Sequence, residues 1–201
     1  EYGAVLKEGL YEDAERKETL LDLCRFSTNE SEDPISLSQY LEKMPDTQKE
    51  IYYISAETST QALASPHLEG FKSKNIPVLI MTDAIDQFWL PVVGSFKEKK
   101  FTSITQGKIN LDELDSKNKD KKNNSNNDKE KQDKEYVDLI AQLKVVLGDQ
   151  VKNIRLSSKL TDSPVCLVAD EGDMDIAMEQ LMAQRDSNYK GAPRILEING
   201  D

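Results

Sequence analysis

At 201 residues, 31% of them charged and carrying a net charge of -11, the chain has room for one or two domains and is strongly acidic. A pI near 4.7 argues against general nucleic-acid binding, which needs a concentrated basic face, and against a standing contact with an anionic membrane. No apolar run approaches the roughly 20 residues of a membrane helix, so neither nucleic acid nor membrane is an expected partner.

The opening Glu1-Tyr2-Gly3-Ala4 lacks the basic-then-apolar pattern of a secretory signal, so a cytoplasmic location is expected. A start without methionine reads as an excised piece of a longer protein. Glu12 to Cys24 has an acidic opening and later apolar Ala14, Leu20, Leu21 and Cys24, which predicts a helix. Ser36 is placed to cap a helix in which Leu37, Tyr40, Leu41 and Met44 keep the i, i+3, i+4, i+7 rhythm, and Pro45 follows its end. Ile51 to Ile54 has the short apolar run and β-propensity of a strand. Ser65-Pro66 marks a helix start that carries Leu68 and Phe71 to about Lys74.

After Pro77, Val78 to Met81 is apolar on both faces, the pattern of a buried strand. Thr82 or Asp83 is placed to cap a helix from Ala84 to about Val93, and Phe101 to Ile104 predicts one more strand. Alternating strands and helices imply an α/β layer with parallel pairing. Phe88 and Trp89 are neighbours on one helix and cannot point the same way. One belongs to the core, and the other is a candidate anchor for a partner.

From Ser116 to Lys134 no residue is apolar. Such a segment cannot offset its own ordering entropy, and with its flanks it predicts a charged flexible linker over 109–135. Beyond it, Val137, Ile140, Leu143 and Leu147 mark a helix that Gly148 closes. Val151 to Leu156 and Val165 to Val168 read as strands. Met174, Met178, Leu181 and Met182 then fall at i, i+4, i+7 and i+8, a helical stripe. Leaving such a stripe in water forgoes roughly 1.5–3 kcal/mol per side chain. It is therefore covered by the chain itself, covered by a partner, or retained for transient binding, a use to which adaptable methionine is suited.

Little of the sequence points to catalysis. There is no Gly-rich phosphate loop of either common type. Cys24 and Cys166 lie in apolar stretches without a second thiol or histidine at ligand spacing, so both read as buried small hydrophobes, with no metal and no disulfide expected. His67 is the only histidine. Asp83 and Asp86 follow a buried strand, where α/β proteins often place functional groups. A helix cap with a first-turn acid explains the pair, and a hydrolase built on Asp83, Asp86 and His67 is the catalytic alternative. A scaffold or adaptor with one defined protein partner is the other.

Tyr11-Glu12-Asp13, Ser36-Leu37-Ser38-Gln39-Tyr40, the run from Met44-Pro45-Asp46 to Tyr52-Tyr53-Ile54, Ser65-Pro66-His67-Leu68-Glu69, Val78 to Asp86, Leu147-Gly148-Asp149-Gln150-Val151 and Ser163-Pro164 together resemble the heat-shock protein 90 family of chaperones, in its bacterial form. The resemblance makes 1–108 the C-terminal α/β part of the family's middle domain, a small αβα layer. After the linker it makes 136–201 the beginning of the α+β dimerisation domain. It implies a client-binding and coupling segment of an ATP-dependent machine that assists unfolded or stressed proteins.

In that family ATP and Mg are held by a separate N-terminal domain, and an arginine from the earlier middle domain assists hydrolysis. Neither lies in this sequence, so the resemblance implies no cofactor and no ATPase activity here. The helices that pair the family's protomers into a homodimer would follow Asn199, so stable dimerisation of this stretch alone is not expected. Met174, Met178, Leu181 and Met182 occupy positions matching the family's client-contacting helix, and Phe88 with Trp89 falls at a second contact. Two residues depart from the pattern there: Gln87 replaces a typical acid, and Pro91 enters a regular helix. The linker is also longer and richer in lysine and asparagine than the bacterial pattern.

Overall fold

The computed structural model describes residues 3–13, 15–107, 109–111, 114, 126–186 and 188–200, with the backbone alone for 126–135. The chain divides into two compact units, Glu1–Ile104 and Thr105–Asp201.

In the first unit a five-stranded sheet has the order β1-β3-β2-β5-β4, formed by β1 (Ser27–Thr28), β2 (Ile51–Ser55), β3 (Leu79–Met81), β4 (Ser95–Phe96) and β5 (Lys99–Ser103). The central three strands run parallel, with Tyr53 opposite Leu79 on one side and opposite Ser103 on the other. The expected parallel layer is therefore present, and β1 and β4 add short antiparallel edges. Parallel neighbours require crossover connections, and helices supply them. Between β2 and β3 run α4 (Ser59–Leu63), a 3-10 turn at Pro66–Leu68 and α5 (Glu69–Ser73). Between β3 and β4 runs α6 (Asp86–Val93).

Leu79 and Met81 of β3 and Ile51 of β2 join a core with Leu10, Leu21, Phe26, Leu37, Tyr40, Trp89 and Phe101. Tyr52, alternating to the opposite face, meets the edge of Phe71 at 5.2 Å. Both faces of the sheet are thus covered, which is why β3 is buried at all three positions and reads as unbroken apolar sequence.

The capping signal at Ser36 is realised. Its side chain accepts from Gln39 N–H, and the Gln39 side chain accepts in return from Ser36 N–H, a capping box opening α3 (Leu37–Lys43). Tyr40 of this helix donates its hydroxyl to the Pro77 carbonyl at 2.7 Å and accepts from Tyr52 N–H at 3.1 Å, tying the helix to two strands.

Two expectations change. The single helix over Glu12–Cys24 is instead α1 (Gly3–Glu12) and α2 (Lys17–Leu23). The break is local chemistry: the Asp13 carboxylate accepts from Arg16 N–H and pairs with its guanidinium, holding a turn where a helix would have continued. The cap expected at Thr82 or Asp83 is also absent, because the Asp83 carboxylate is engaged by Lys7.

In the second unit a three-stranded sheet has the order β6-β8-β7. Strands β6 (Val151–Leu156) and β8 (Arg194–Ile198) are parallel, and β7 (Val165–Val168) is antiparallel to β8. Helix α7 (Asn126–Leu147) packs on β6, and α8 (Ile176–Arg185) stands between β7 and β8 in sequence. Gly148 closes α7 with φ 48°, the left-handed conformation expected there.

The linker expected over 109–135 differs at both described ends. Residues 105–111 belong to the second unit, and the backbone is helical from Asn126. Lys, Glu, Gln and Asp in this stretch are compatible with helix, and the apolar-periodic turns after Tyr136 give them a helix to extend. Residues 115–125, the middle of that linker, lie outside the described residues.

Candidate functional site

Asp175 sets the start of the methionine helix. Its backbone is extended, one carboxylate oxygen accepts from Ala177 N–H at 2.9 Å, and the other accepts from the Thr105 hydroxyl at 2.8 Å. An aspartate there caps open backbone N–H groups and favours the positive end of the helix dipole. Met174 precedes this cap and so leaves the predicted stripe; its carbonyl accepts from the Arg194 guanidinium. On α8 itself Met178, Leu181 and Met182 share one face at i, i+3, i+4.

No residue of α8 is fully buried, and those three apolar side chains are half-buried. Met174 is 40% exposed. The stripe is therefore partly covered and partly exposed. Its flank is fixed by polar contacts: Glu179 accepts from Ala192 N–H and pairs with Arg194 on β8.

The second predicted contact divides as alternation on a helix requires. Trp89 is 0% exposed and packs between Phe26 and Phe101, so it offers no surface to a partner; Phe88 is half-buried. The indole draws inward because Asp86 accepts its Nε1–H at 2.7 Å. Asp86 in turn is wholly buried and held by Lys7 of α1, with Nζ 2.9 Å from Oδ1 and 3.1 Å from Oδ2. Lys7 also reaches Asp83 at 2.7 Å and lies over the Phe26 ring. Burial opposes the lysine's charge, but the Asp86 and Asp83 carboxylates prevail and hold its pKa above the ordinary value. Pro91 sits inside α6, which continues to Val93.

These contacts bear on the acid-base alternative. Both Asp86 oxygens are occupied by Lys7, Trp89 and the Asp83 backbone N–H. A carboxylate with no solvent access and no open lone pair is a structural pin between α1 and α6, not a base facing a substrate. His67 is buried in the turn after α4, its backbone N–H capped by Ser65.

A third cluster escaped the sequence reading. Glu197 on β8 is 3% exposed and receives two cations. Arg155 contributes Nε and Nη2 to Oε1 at 3.0 and 2.8 Å, and Lys159 brings Nζ to 3.4 Å from Oε2. Ser157 donates to Oε2 at 3.0 Å, and the Cys166 thiol lies 3.8 Å from it. Burial would raise the Glu197 pKa; Lys159, Arg155 and Ser157 together outweigh it and hold the carboxyl below its ordinary range. Burial lowers the Lys159 pKa despite Glu197. The only sequence signal was an acid inside the apolar run Ile195-Leu196-Glu197-Ile198.

Among the described residues no group of three or more His, Cys, Asp or Glu is arranged to hold a metal ion. Cys24 and Cys166 are buried and unbridged. The buried lysines Lys7 and Lys159 are each held by a buried carboxylate, Asp86 and Glu197 respectively. No helix is long and apolar enough to cross a membrane among the described residues.

A parallel αβα unit followed by a small α+β unit, with ion pairs buried in both, defines a two-unit α/β chain. The chain belongs to the heat-shock protein 90 family: the family model described as Hsp90 protein matches residues 1–201. It is 42% identical over 200 residues to "Chaperone protein HtpG" of Roseobacter denitrificans, an alignment covering 100% of this chain and 32% of that protein. Proteins of the same name from Streptomyces coelicolor and Wolbachia pipientis wMel are each 40% identical, over 99% and 98% of this chain and 30% and 31% of theirs. The chain thus spans about a third of the length of the curated relatives it matches.

Proposed function

We propose that this chain is the client-binding and coupling segment of an ATP-dependent chaperone, cytoplasmic and homodimeric at full length. In this reading ATP and Mg act in another part of the full-length protein, and the segment performs no catalysis of its own. Met178, Leu181 and Met182 lend a deformable apolar surface to unfolded or partly folded proteins, with Met174 beside them and Phe88 as a lesser contact. The observation that carries the reading is that Met178, Leu181 and Met182 share one face of α8 and none of them is fully buried. Methionine suits the task because its flexible thioether fits many partners with little geometric demand.

The test is the double variant Met178→Ser, Met182→Ser in the full-length protein. Replacing partly exposed methionines leaves thermal unfolding within a few degrees, while suppression of aggregation of a chemically unfolded protein falls by about fivefold or more. Unchanged suppression by a folded double variant would remove the surface from the account. A scaffold with one defined partner predicts no preference for denatured over native protein in a pull-down.

A further inference from the structure

We propose that the outer edge of β7 is a strand-addition site for an extended polypeptide segment, apolar at alternate positions and basic at its ends. The proposal rests on the reading that the protein engages unfolded chains, but on a different surface from α8. Strand β7 lies at the edge of its sheet. In an antiparallel pair the N–H and C=O of one residue point to the same side, and successive residues alternate. Asn199 N–H donates to the Pro164 carbonyl at 2.8 Å, so Pro164 faces β8, as do Cys166 and Val168. Val165, Leu167 and Ala169 therefore face outward.

Ala169 demonstrates what that edge accepts. It donates to the Thr105 carbonyl at 2.9 Å and accepts from Gly107 N–H at 2.8 Å, a parallel bridge centred on Gln106. The chain's own segment thus occupies the edge at its last rung. It leaves the outward groups of Val165 and Leu167 open among the described residues.

The side chains of those two residues are 45% and 48% exposed. Native edges are ordinarily guarded by a lysine, a bulge or a covering loop. Among the described residues none of these guards Val165-Cys166-Leu167-Val168; the nearest is Pro164, ahead of the strand. Exposed acids stand at both ends, Asp162 before the strand and Glu171 after it. An incoming strand would gain main-chain hydrogen bonds that do not depend on its sequence and apolar contact at every second residue. Its basic ends would meet those acids. Bonds of that kind suit a binder that must accept many unrelated chains.

The experiment uses the full-length protein and a labelled peptide of alternating valine and threonine with lysines at both ends. Amide hydrogen exchange at Val165 and Leu167 should be fast in the free protein and slow by about tenfold or more with peptide bound. Leu167→Lys should weaken peptide binding, read by fluorescence anisotropy, by about tenfold with thermal unfolding unchanged. Met178→Ser with Met182→Ser should leave that affinity within about twofold. If both amides are already protected in the free protein, another segment or a second copy covers the edge and the proposal is overturned. It is equally overturned if peptide binds without slowing them. Loss of peptide binding in the α8 variant alone would retain the proposed function and discard the edge. Should Leu167→Lys fail to fold, exchange in the unaltered protein decides.

Discussion

Glu197 serves two cations with one carboxylate, an arrangement whose energetics are asymmetric. Glu197→Gln leaves Arg155 and Lys159 facing each other without an anion and should cost about 3–5 kcal/mol, because an uncompensated buried charge is far worse than a missing pair. Lys159→Met keeps a similar volume and leaves a one-to-one pair of Arg155 and Glu197. It should be neutral or stabilising by up to about 2 kcal/mol. Urea unfolding monitored by circular dichroism distinguishes the two.

The pH dependence follows from the same cluster. Glu197 sits below its ordinary 4.5 when folded, so its contribution is present above that value and is lost as acid titrates through the lowered one. Lys159, lowered from 10.5 by burial, costs stability at neutral pH, and the cost fades as pH rises past its folded value. Acid unfolding of the second unit should therefore begin below about pH 4.5. None of this was legible beforehand. Glu197 lies 42 residues from Arg155 in sequence, and only the register that sets the two opposite each other brings the cluster together. Lys7 escaped for the same reason, since its partners Asp83 and Asp86 are more than seventy residues away.

Elements with strong local signals were read correctly. The Ser36 cap, the apolar run at Leu79–Met81 and the Ser65-Pro66 start each express a preference that neighbouring residues decide. The short strands β1 and β4, two residues each, carry no period long enough to recognise, and they exist because β3 and β5 offer edges to pair with. The methionine stripe and the helix do not start together: four apolar residues keep helical spacing, yet Asp175 starts the helix after the first of them. Asp175 also accepts from Thr105, where the second unit begins. Asp175→Ala should cost about 1 kcal/mol through the lost cap and fray the first turn of α8. Faster amide exchange at Ala177 and Met178, with β6 to β8 unaffected, is the expected result.

At the scale of the whole molecule, composition and the order of apolar runs carried the readable part of the fold. The αβα layer was legible because alternation of strand and helix survives in a single sequence. The division of the chain was legible only roughly: composition marks where no core can form, not which unit claims residues 105–111. Each unit keeps its own buried charges and apolar core, so destabilising one should leave the other's transition in place. Trp89, the only tryptophan, lies in the first unit's core. Glu197→Gln should therefore lower the circular dichroism transition of the second unit while the Trp89 fluorescence midpoint stays within about 2 °C.

Methyl NMR of the full-length protein labelled at methionine tests the client surface most directly. The chain has five methionines, and Met81, 1% exposed in the first core, is the internal control. Added unfolded protein should shift or broaden the Met178 and Met182 methyl signals while Met81 stays fixed. Unmoved Met178 and Met182 signals, with binding evident at other residues, would contradict the assignment of α8 as the surface that meets unfolded chains.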